Sequence, residues 1–446
     1  MLDLFLIILF CILGVITGIA TGLLPGLHVN NIALILLSLS GGIIAIFSFL
    51  YEFGITKEFI LLLIAIYIIS TSISHTFHDT IPSTFLGAPD EDMALSVLPA
   101  HTLLLEGKGY EAVALSAMGS YGAIIFCFLL LLPIRFIIGK PIMFYETLRE
   151  IMLFVLIAIS ILMIGTEKGK IDDFGKKSII PSIMGMLFAT FIFFLSGMFG
   201  IVIFEVPVDS PIGLSSPVLF PALAGLFGLP TLLTSLMTNP KIPKQTIEEP
   251  VLDKKMKKTS ILSVVTGSVG GILVSIIPGI TSATGTVLAM NVRGESDKKQ
   301  TIVTLSAVNT ACAFFVVVML FTILRSRSGA TMAAMELIAV EEWTNLLMPS
   351  YLTYMLIALL LGGTLSYFFT LYVGKIFAKK FENVNYSLIV KITISLILIL
   401  VFLFTGFVGL LVLIIATFIG LLPVEWGVRR SHCMGVLLIP IILYFM

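Results

Sequence analysis

Apolar stretches alternate with short polar breaks along nearly the whole chain. Runs such as 2–24, 31–51, 59–73, 112–134, 151–165, 260–277, 351–373 and 392–422 are dominated by Leu, Ile, Phe, Val and Ala. Each comes close to the roughly 20 apolar residues that a spanning helix needs. Backbone groups in lipid must be satisfied within their own segment, so these runs predict helices and not strands. The pattern predicts an all-α polytopic membrane protein with roughly a dozen spans.

Within this pattern one element occurs twice. Gly14, Gly18, Gly22, Pro25 and Gly26 are matched by Gly267, Gly271, Ser275, Pro278 and Gly279, each displaced by 253 residues. Small residues at every fourth position let a second helix approach closely. The Pro-Gly pair then interrupts the helix and is followed by polar residues. A second pair of segments follows in the same order: GAPDEDMAL at 87–95 and GATMAAMEL at 329–337. Duplicated broken helices in an apolar chain are the signature of transporters built from internal repeats, with the substrate held between the copies.

Composition supports the membrane assignment. Of 446 residues, 58% are hydrophobic and 12% charged, with a mean hydropathy of +1.13; a soluble fold of this length could not hide so much apolar surface. The formal net charge is zero and there is no basic tail, which argues against a nucleic-acid partner. Cys11, Cys127, Cys312 and Cys433 are widely separated in apolar runs and read as small core residues. The first run lacks a basic leader and is too long for a signal core, so it reads as the first span.

The longest polar stretch, 241–258, carries six lysines. It divides the chain into a first repeat (1–240) and a second (259–446), and the positive-inside rule places it in the cytoplasm. The loop at 167–177 is lysine-rich as well, whereas 204–217 carries acids and no Lys or Arg. Counting outward puts the N-terminus outside and gives the repeats opposite orientations. Arg135, Lys140 and Arg149 run against this count. The expected location is the cell membrane.

Polar residues beside the breaks are the candidate site. They are His28, Asn30 and Asn31 after Pro25-Gly26, and Thr281, Ser282 and Thr284 after Pro278-Gly279. Free N–H groups at the start of a half-helix suit an anion, although a capped proline kink would look the same in one copy. The stretch 70–105 is too rich in prolines and acids to face lipid, so it predicts a re-entrant hairpin with its tip near Pro82 to Pro89. Asp90, Glu91 and Asp92 would either hold a coupling cation or proton, or cap the next helix in an aqueous vestibule. His75, His78 and Asp79 share one helical face at i, i+3 and i+4, a spacing that suits proton relay or a metal. In the second hairpin, Arg325 and Arg327 with Ser326 and Ser328 would clamp an anion, or snorkel to headgroups. Asn291 and Asn309 are further candidates.

GLLPGLHVNN at 22–31, STFLGAPDEDMALSVLPAHTLLLEGKG at 83–109, SIIPGITSATGTVLAMNV at 275–292 and SGATMAAMELI at 328–338 resemble the large membrane subunit of tripartite tricarboxylate transporters, the TctA-type permease family. The resemblance spans both halves and is nearest to a standalone archaeal-like branch. It implies secondary uptake of organic anions, with a small membrane subunit and a soluble binding protein in the family's systems; homodimerisation is left open. Carried over, it assigns Pro25, Gly26 and Asn30 with Pro278, Gly279, Thr281 and Ser282 to the broken-helix site. Ser83, Thr84, Gly87 and Ser328, Gly329, Ala330 would occupy the hairpin tips. Pro-Asp-Glu-Asp at 89–92 and Arg-Ser-Arg-Ser at 325–328 depart from the citrate-type pattern, so tricarboxylate itself does not follow.

The sequence therefore predicts a permease and not an enzyme, taking a small anionic substrate, with H+ or Na+ as coupling ion, no other cofactor and no bound metal. His75, Asp79, Asp90 and Asp92 would serve the coupling ion. Two alternatives stand beside it: a carrier of phosphate-headed lipid, and an intramembrane metalloenzyme built on His75, His78 and Asp79.

Overall fold

The structure, a computed structural model, describes residues 2–24, 29–87, 97–167, 179–211, 213, 218–238, 243–250, 253–293, 297–381 and 386–446. Among them there are helices and no strands. Nine helices are long and apolar enough to cross a membrane, or ten if a bent pair counts as one span. That is fewer than the roughly one dozen expected from windows of about 20 residues. The run 31–51 explains part of the difference, because it breaks into three short helical pieces.

In chain order the first half contains α1 (Leu2–Gly22), α2 (Val29–Ser38), α3 (Ser40–Ile46), α4 (Lys57–His78), α5 (Thr80–Phe85), α6 (Val97–Leu105) and α7 (Gly109–Ile138). Next come α8 (Phe144–Glu150) and α9 (Met152–Gly165), which meet at 74°, then α10 (Ile179–Phe204). α11 (Leu219–Leu223) runs through a π-helical turn at Ala224–Gly228 into α12 (Leu229–Thr238). The second half contains α13 (Lys254–Ile276), α14 (Ser282–Arg293), α15 (Lys298–Thr322), α16 (Gly329–Leu337) and α17 (Ser350–Phe381). Last are α18 (Tyr386–Trp426), broken at Gly406 (φ 63°, ψ −158°), a 3-10 turn at Arg430–Met434, and α19 (Gly435–Phe445).

Side-chain caps start several helices by satisfying N–H groups that have no intrahelical partner. Thr56 accepts from Phe59 N at α4, Asp253 from Met256 N at α13, and Asp297 from Gln300 N at α15.

The glycine ladders decide the central packing. A methyl group at Gly14 would meet the Tyr67 carbonyl at 2.6 Å and one at Gly22 the His75 carbonyl at 2.9 Å, while Gly18 abuts Thr71 and Ser74. α1 thus lies directly on α4, and the two run parallel. In the second half Gly267 would meet the Thr304 carbonyl at 2.6 Å and Gly271 abuts Val308 and Ala311. α13 lies on α15 in the same manner, again parallel.

α7 relates the two pairs. It follows α15 along its whole length, through Ser116 Oγ and Ser306 Oγ at 2.7 Å, the Phe128 and Phe314 rings at 4.9 Å, and Gly139 beside Thr322. Against α4 and its continuation α5 it runs the other way, with Gly109 beside Phe85 of α5 at one end and Ile124 sharing Gly363 with Phe77 of α4 further along. The α1–α4 pair therefore runs opposite to α13–α15. Because α7 of the first half lies along α15 of the second, the halves interdigitate.

The linker is also tied down. Gln245 accepts from Gly109 N (2.8 Å) and donates to Leu104 O (3.0 Å), and Thr246 N donates to Gly107 O (2.7 Å). Lys298–Glu106, Lys299–Glu111 and Lys375–Glu249 pair at this same end of the bundle. At the opposite end Arg135 is buried. Its guanidinium donates to the carbonyls of Lys140, Trp343 and Thr344, while Lys140 pairs with Glu342 at 3.4 Å.

Candidate functional site

The α1–α4 crossing is lined by polar side chains. Ser70 Oγ donates to Cys11 O (2.8 Å) and Ser74 Oγ to Val15 O (2.9 Å), so hydroxyls zip the two helices together. His75 Nδ1 meets Thr21 Oγ1 at 3.2 Å, and His78 Nδ1 bonds the Ser74 carbonyl at 2.7 Å. A carbonyl only accepts, so His78 carries its proton on Nδ1 and directs the lone pair of Nε2 into the protein. That nitrogen has no partner among the described residues, and His78 is fully buried. Asp79 is buried next to it and ends α4. Among the described residues no group of three His, Cys, Asp or Glu is placed to hold a metal.

The described part of the first polar stretch ends at Gly87, inside the expected tip. Pro82 lies inside α5, and Gly87 beyond it takes a left-handed φ of 65°, where a side chain would be strained. Ser83 and Thr84 are fully buried just before it; Ser83 Oγ donates to Asp79 O (2.7 Å), and the Thr84 hydroxyl has no partner among the described residues. Pro25, Gly26, His28, Asp90 and Asp92 lie outside the described residues, as do the side chains of Asn30 and Asn31.

At the second break α13 ends at Ile276, Gly279 takes φ 75°, and α14 begins at Ser282. Pro278 therefore lies in a true interruption. The open side of Gly279 is filled by Ile441 of α19. Ser282 Oγ donates to Asn309 Oδ1 (3.2 Å), and the Thr281 hydroxyl contacts Met434 Sδ (3.6 Å). Thr284 is fully buried, with no partner for its hydroxyl among the described residues. Asn309 thus joins the break, whereas Asn291 is exposed.

The second hairpin separates its two arginines. Arg325 is exposed and Arg327 half-buried, with Tyr145 and Cys312 nearby. Neither pairs with a carboxylate among the described residues. Ser328 is occupied as the N-cap of α16, its hydroxyl accepting from Thr331 N (3.2 Å) in a reciprocal box. Gly329 and Ala330 are buried in the first turn of α16, which packs on α2 and α4. The second hairpin therefore meets the helix after the first break and the helix that carries His75 and Asp79.

A helical membrane protein with two glycine-ladder crossings, polar side chains along the first and a polar group at the second break is the context in which the family comparison applies. The family model described as "Tripartite tricarboxylate transporter TctA family" matches residues 8–435. The chain belongs to the TctA family. An uncharacterized protein of Methanocaldococcus jannaschii is 32% identical over 441 residues, covering 98% of this chain and 99% of that one. No solved structure matches. As a TctA-family member, the chain is a multi-pass membrane transporter of the tricarboxylate-transporter type.

One charged cluster of this TctA-family fold was not singled out from the sequence. Glu167, just beyond α9, accepts from His432 Nε2 (2.7 Å), Arg429 Nε (3.1 Å) and Arg429 N (3.1 Å). Burial pushes its carboxyl up, but the His432 hydrogen bond and the Arg429 charge outweigh that and hold it at about 2. Arg430 turns the other way. Its Nη1 reaches the hydroxyl of Thr231 and the Phe227 carbonyl of the π-helical turn. The available signal was Arg-Arg-Ser-His at 429–432 directly before an apolar helix, an expensive sequence to place there without partners.

Proposed function

We propose that the chain is the permease of a secondary active transporter that carries an anionic organic carboxylate, coupled to H+ or Na+. The observation carrying this reading is the pair of parallel helix crossings that run in opposite directions, the second ending in a break between Ile276 and Ser282. Such an arrangement supports an inverted repeat with its site between the copies. Pro25, Gly26, His28, Asn30 and Asn31 would line the first break, and Pro278, Gly279, Thr281, Ser282 and Thr284 the second, presenting N–H groups to the anion. Ser83, Thr84 and Gly87 would close one side. Arg327, with Arg325, Ser328 and Gly329, would close the other. His75 and Asp79, with Asp90 and Asp92, would carry the coupling ion.

The cytoplasmic end would be the one bearing the linker and Lys298, Lys299 and Lys375, with the N-terminus outside and the protein in the cell membrane. Arg135 and Lys140, which weigh against that orientation in a plain count, are respectively held by carbonyls and paired with Glu342. A small membrane subunit and a soluble binding protein are the partners that the family suggests.

The test is uptake by proteoliposomes of succinate, citrate and inorganic phosphate, driven by imposed H+ or Na+ gradients. Carboxylate accumulation is expected, with Arg327→Ala raising KM about tenfold, the scale of one lost charge-assisted hydrogen bond. Flipping of a labelled phospholipid without carboxylate uptake would establish the lipid-carrier reading instead.

A further inference from the structure

Two consecutive arginines, in nearly the same place, are treated oppositely by the fold. Arg429 is fully employed: Glu167 takes its Nε and backbone N–H, and Nη2 donates to Met163 O (3.2 Å) and Thr166 Oγ1 (2.9 Å). Arg430 has a neutral hydroxyl at Thr231, a long 3.5 Å approach to Phe227 O, and no ion pair among the described residues. A guanidinium carries five N–H donors in a planar fork. Leaving such a cation uncompensated among buried groups costs several kcal/mol. Phe227 and Thr231 are both buried, at 1% and 6% exposed.

The surroundings of Arg430 converge on the first hairpin. A methyl group at Gly87 would lie 3.3 Å from Thr231 Cγ2 and 3.8 Å from both His101 Nδ1 and Ser235 Oγ. His101 Nδ1 is buried and has no partner among the described residues, while the ring is bonded to the Thr84 backbone. The side-chain-free point at Gly87 is thus bordered by an unengaged imidazole nitrogen, by a serine hydroxyl and by the threonine that Arg430 touches. Four residues beyond Arg430, Met434 contacts Thr281 at the second break. The 3-10 turn Arg430–Met434 is therefore the segment that joins the first hairpin to the second broken helix.

We infer that Arg430, with Thr231 and Ser235 beside Gly87, forms a subsite for one carboxylate group of the transported anion. A carboxylate there would accept two parallel N–H bonds from the guanidinium fork and a third from the Ser235 hydroxyl, since the Thr231 hydroxyl already donates to Phe227 O. The Glu167–Arg429–His432 cluster fixes the backbone that aims Arg430 at this point. This subsite rests on the carboxylate-permease reading, and it adds a second cation to Arg327.

The test uses the full chain in proteoliposomes with labelled succinate and citrate, inorganic phosphate serving as competitor. Arg430→Gln is expected to raise KM at least tenfold with kcat within about threefold. Arg430→Lys should recover part of the loss, and Thr231→Val should raise KM about threefold. Thermal melting separates these effects from misfolding. If Arg430→Gln does not fold, Arg430→Lys and Thr231→Val decide, and wild-type KM in both overturns the subsite. Wild-type kinetics in a folded Arg430→Gln protein overturn it too, leaving the permease reading intact. A wild-type protein inert toward every carboxylate overturns that reading and the subsite together. Competition by phosphate as strong as by carboxylate assigns the subsite to phosphate and overturns it.

Discussion

The two glycine-ladder crossings share a backbone plan and differ in chemistry. Gly14, Gly18 and Gly22 face residues 53 positions later on α4, and Gly267 and Gly271 face residues 37 positions later on α15. The register makes Ser70, Ser74, His75, His78 and Asp79 equivalent to Ala307, Ala311, Cys312, Phe315 and Val316. In the first crossing hydroxyls bond across the interface and a buried imidazole offers a free lone pair. In the second the same surfaces are methyls, one thiol and an aromatic ring. Close approach requires only small residues on one helix, so the duplicated geometry survives while the partner face is free to change. The difference is one on which the proposed coupling-ion role of His75 and Asp79 rests. The second crossing is more apolar along this face, with polar groups at Arg293, which donates to Ser263 and Thr304, and at the break between Ser282 and Asn309.

The largest effect should come from attacking the shared geometry. Gly18→Leu and Gly271→Leu both drive a side chain into a neighbouring helix and should each cost about 3 kcal/mol. Folded yield and melting temperature measure this, and a large loss in only one of them would break the equivalence of the crossings. A smaller effect is expected from exchanging chemistry while keeping shape. His78→Phe copies the second crossing onto the first and should cut proteoliposome uptake at least tenfold in a protein that still folds. Phe315→Leu should leave uptake within twofold. Normal transport by His78→Phe would make the polar difference incidental. Smallest of all is loss of a single hydrogen bond. Ser74→Ala and Ser282→Ala should each cost about 1 kcal/mol. Ser282→Ala should in addition raise substrate KM a few-fold, whereas Ser74→Ala should act on stability alone.

Much of this architecture was legible in the sequence, because membrane helices and close helix crossings depend on local patterns. Gly14, Gly18 and Gly22 predicted a close contact, and α4 supplies it; Pro278-Gly279 predicted a break, and one occurs between Ile276 and Ser282. The site was legible only in part. Ser328 is taken up as a helix cap and Arg325 is exposed, so the second hairpin offers fewer free donors than its polar residues suggested. Within the tip placed at Pro82 to Pro89, α5 accommodates Pro82 in its first turn and Gly87 takes the left-handed conformation.

The sequence by itself determined the solvent and predicted a repeat: apolar length sets the bilayer as environment, and a five-position match is the pattern expected of a copied element. Tertiary structure decided which charges are spent. Glu167 and His432 are 265 residues apart and Arg135 and Trp343 are 208 apart, so no window along the chain could pair them. Whether a buried arginine is a structural tie or an open ligand depends on what stands opposite its guanidinium. Only the fold shows that Glu167 faces Arg429 while Arg430 faces a hydroxyl.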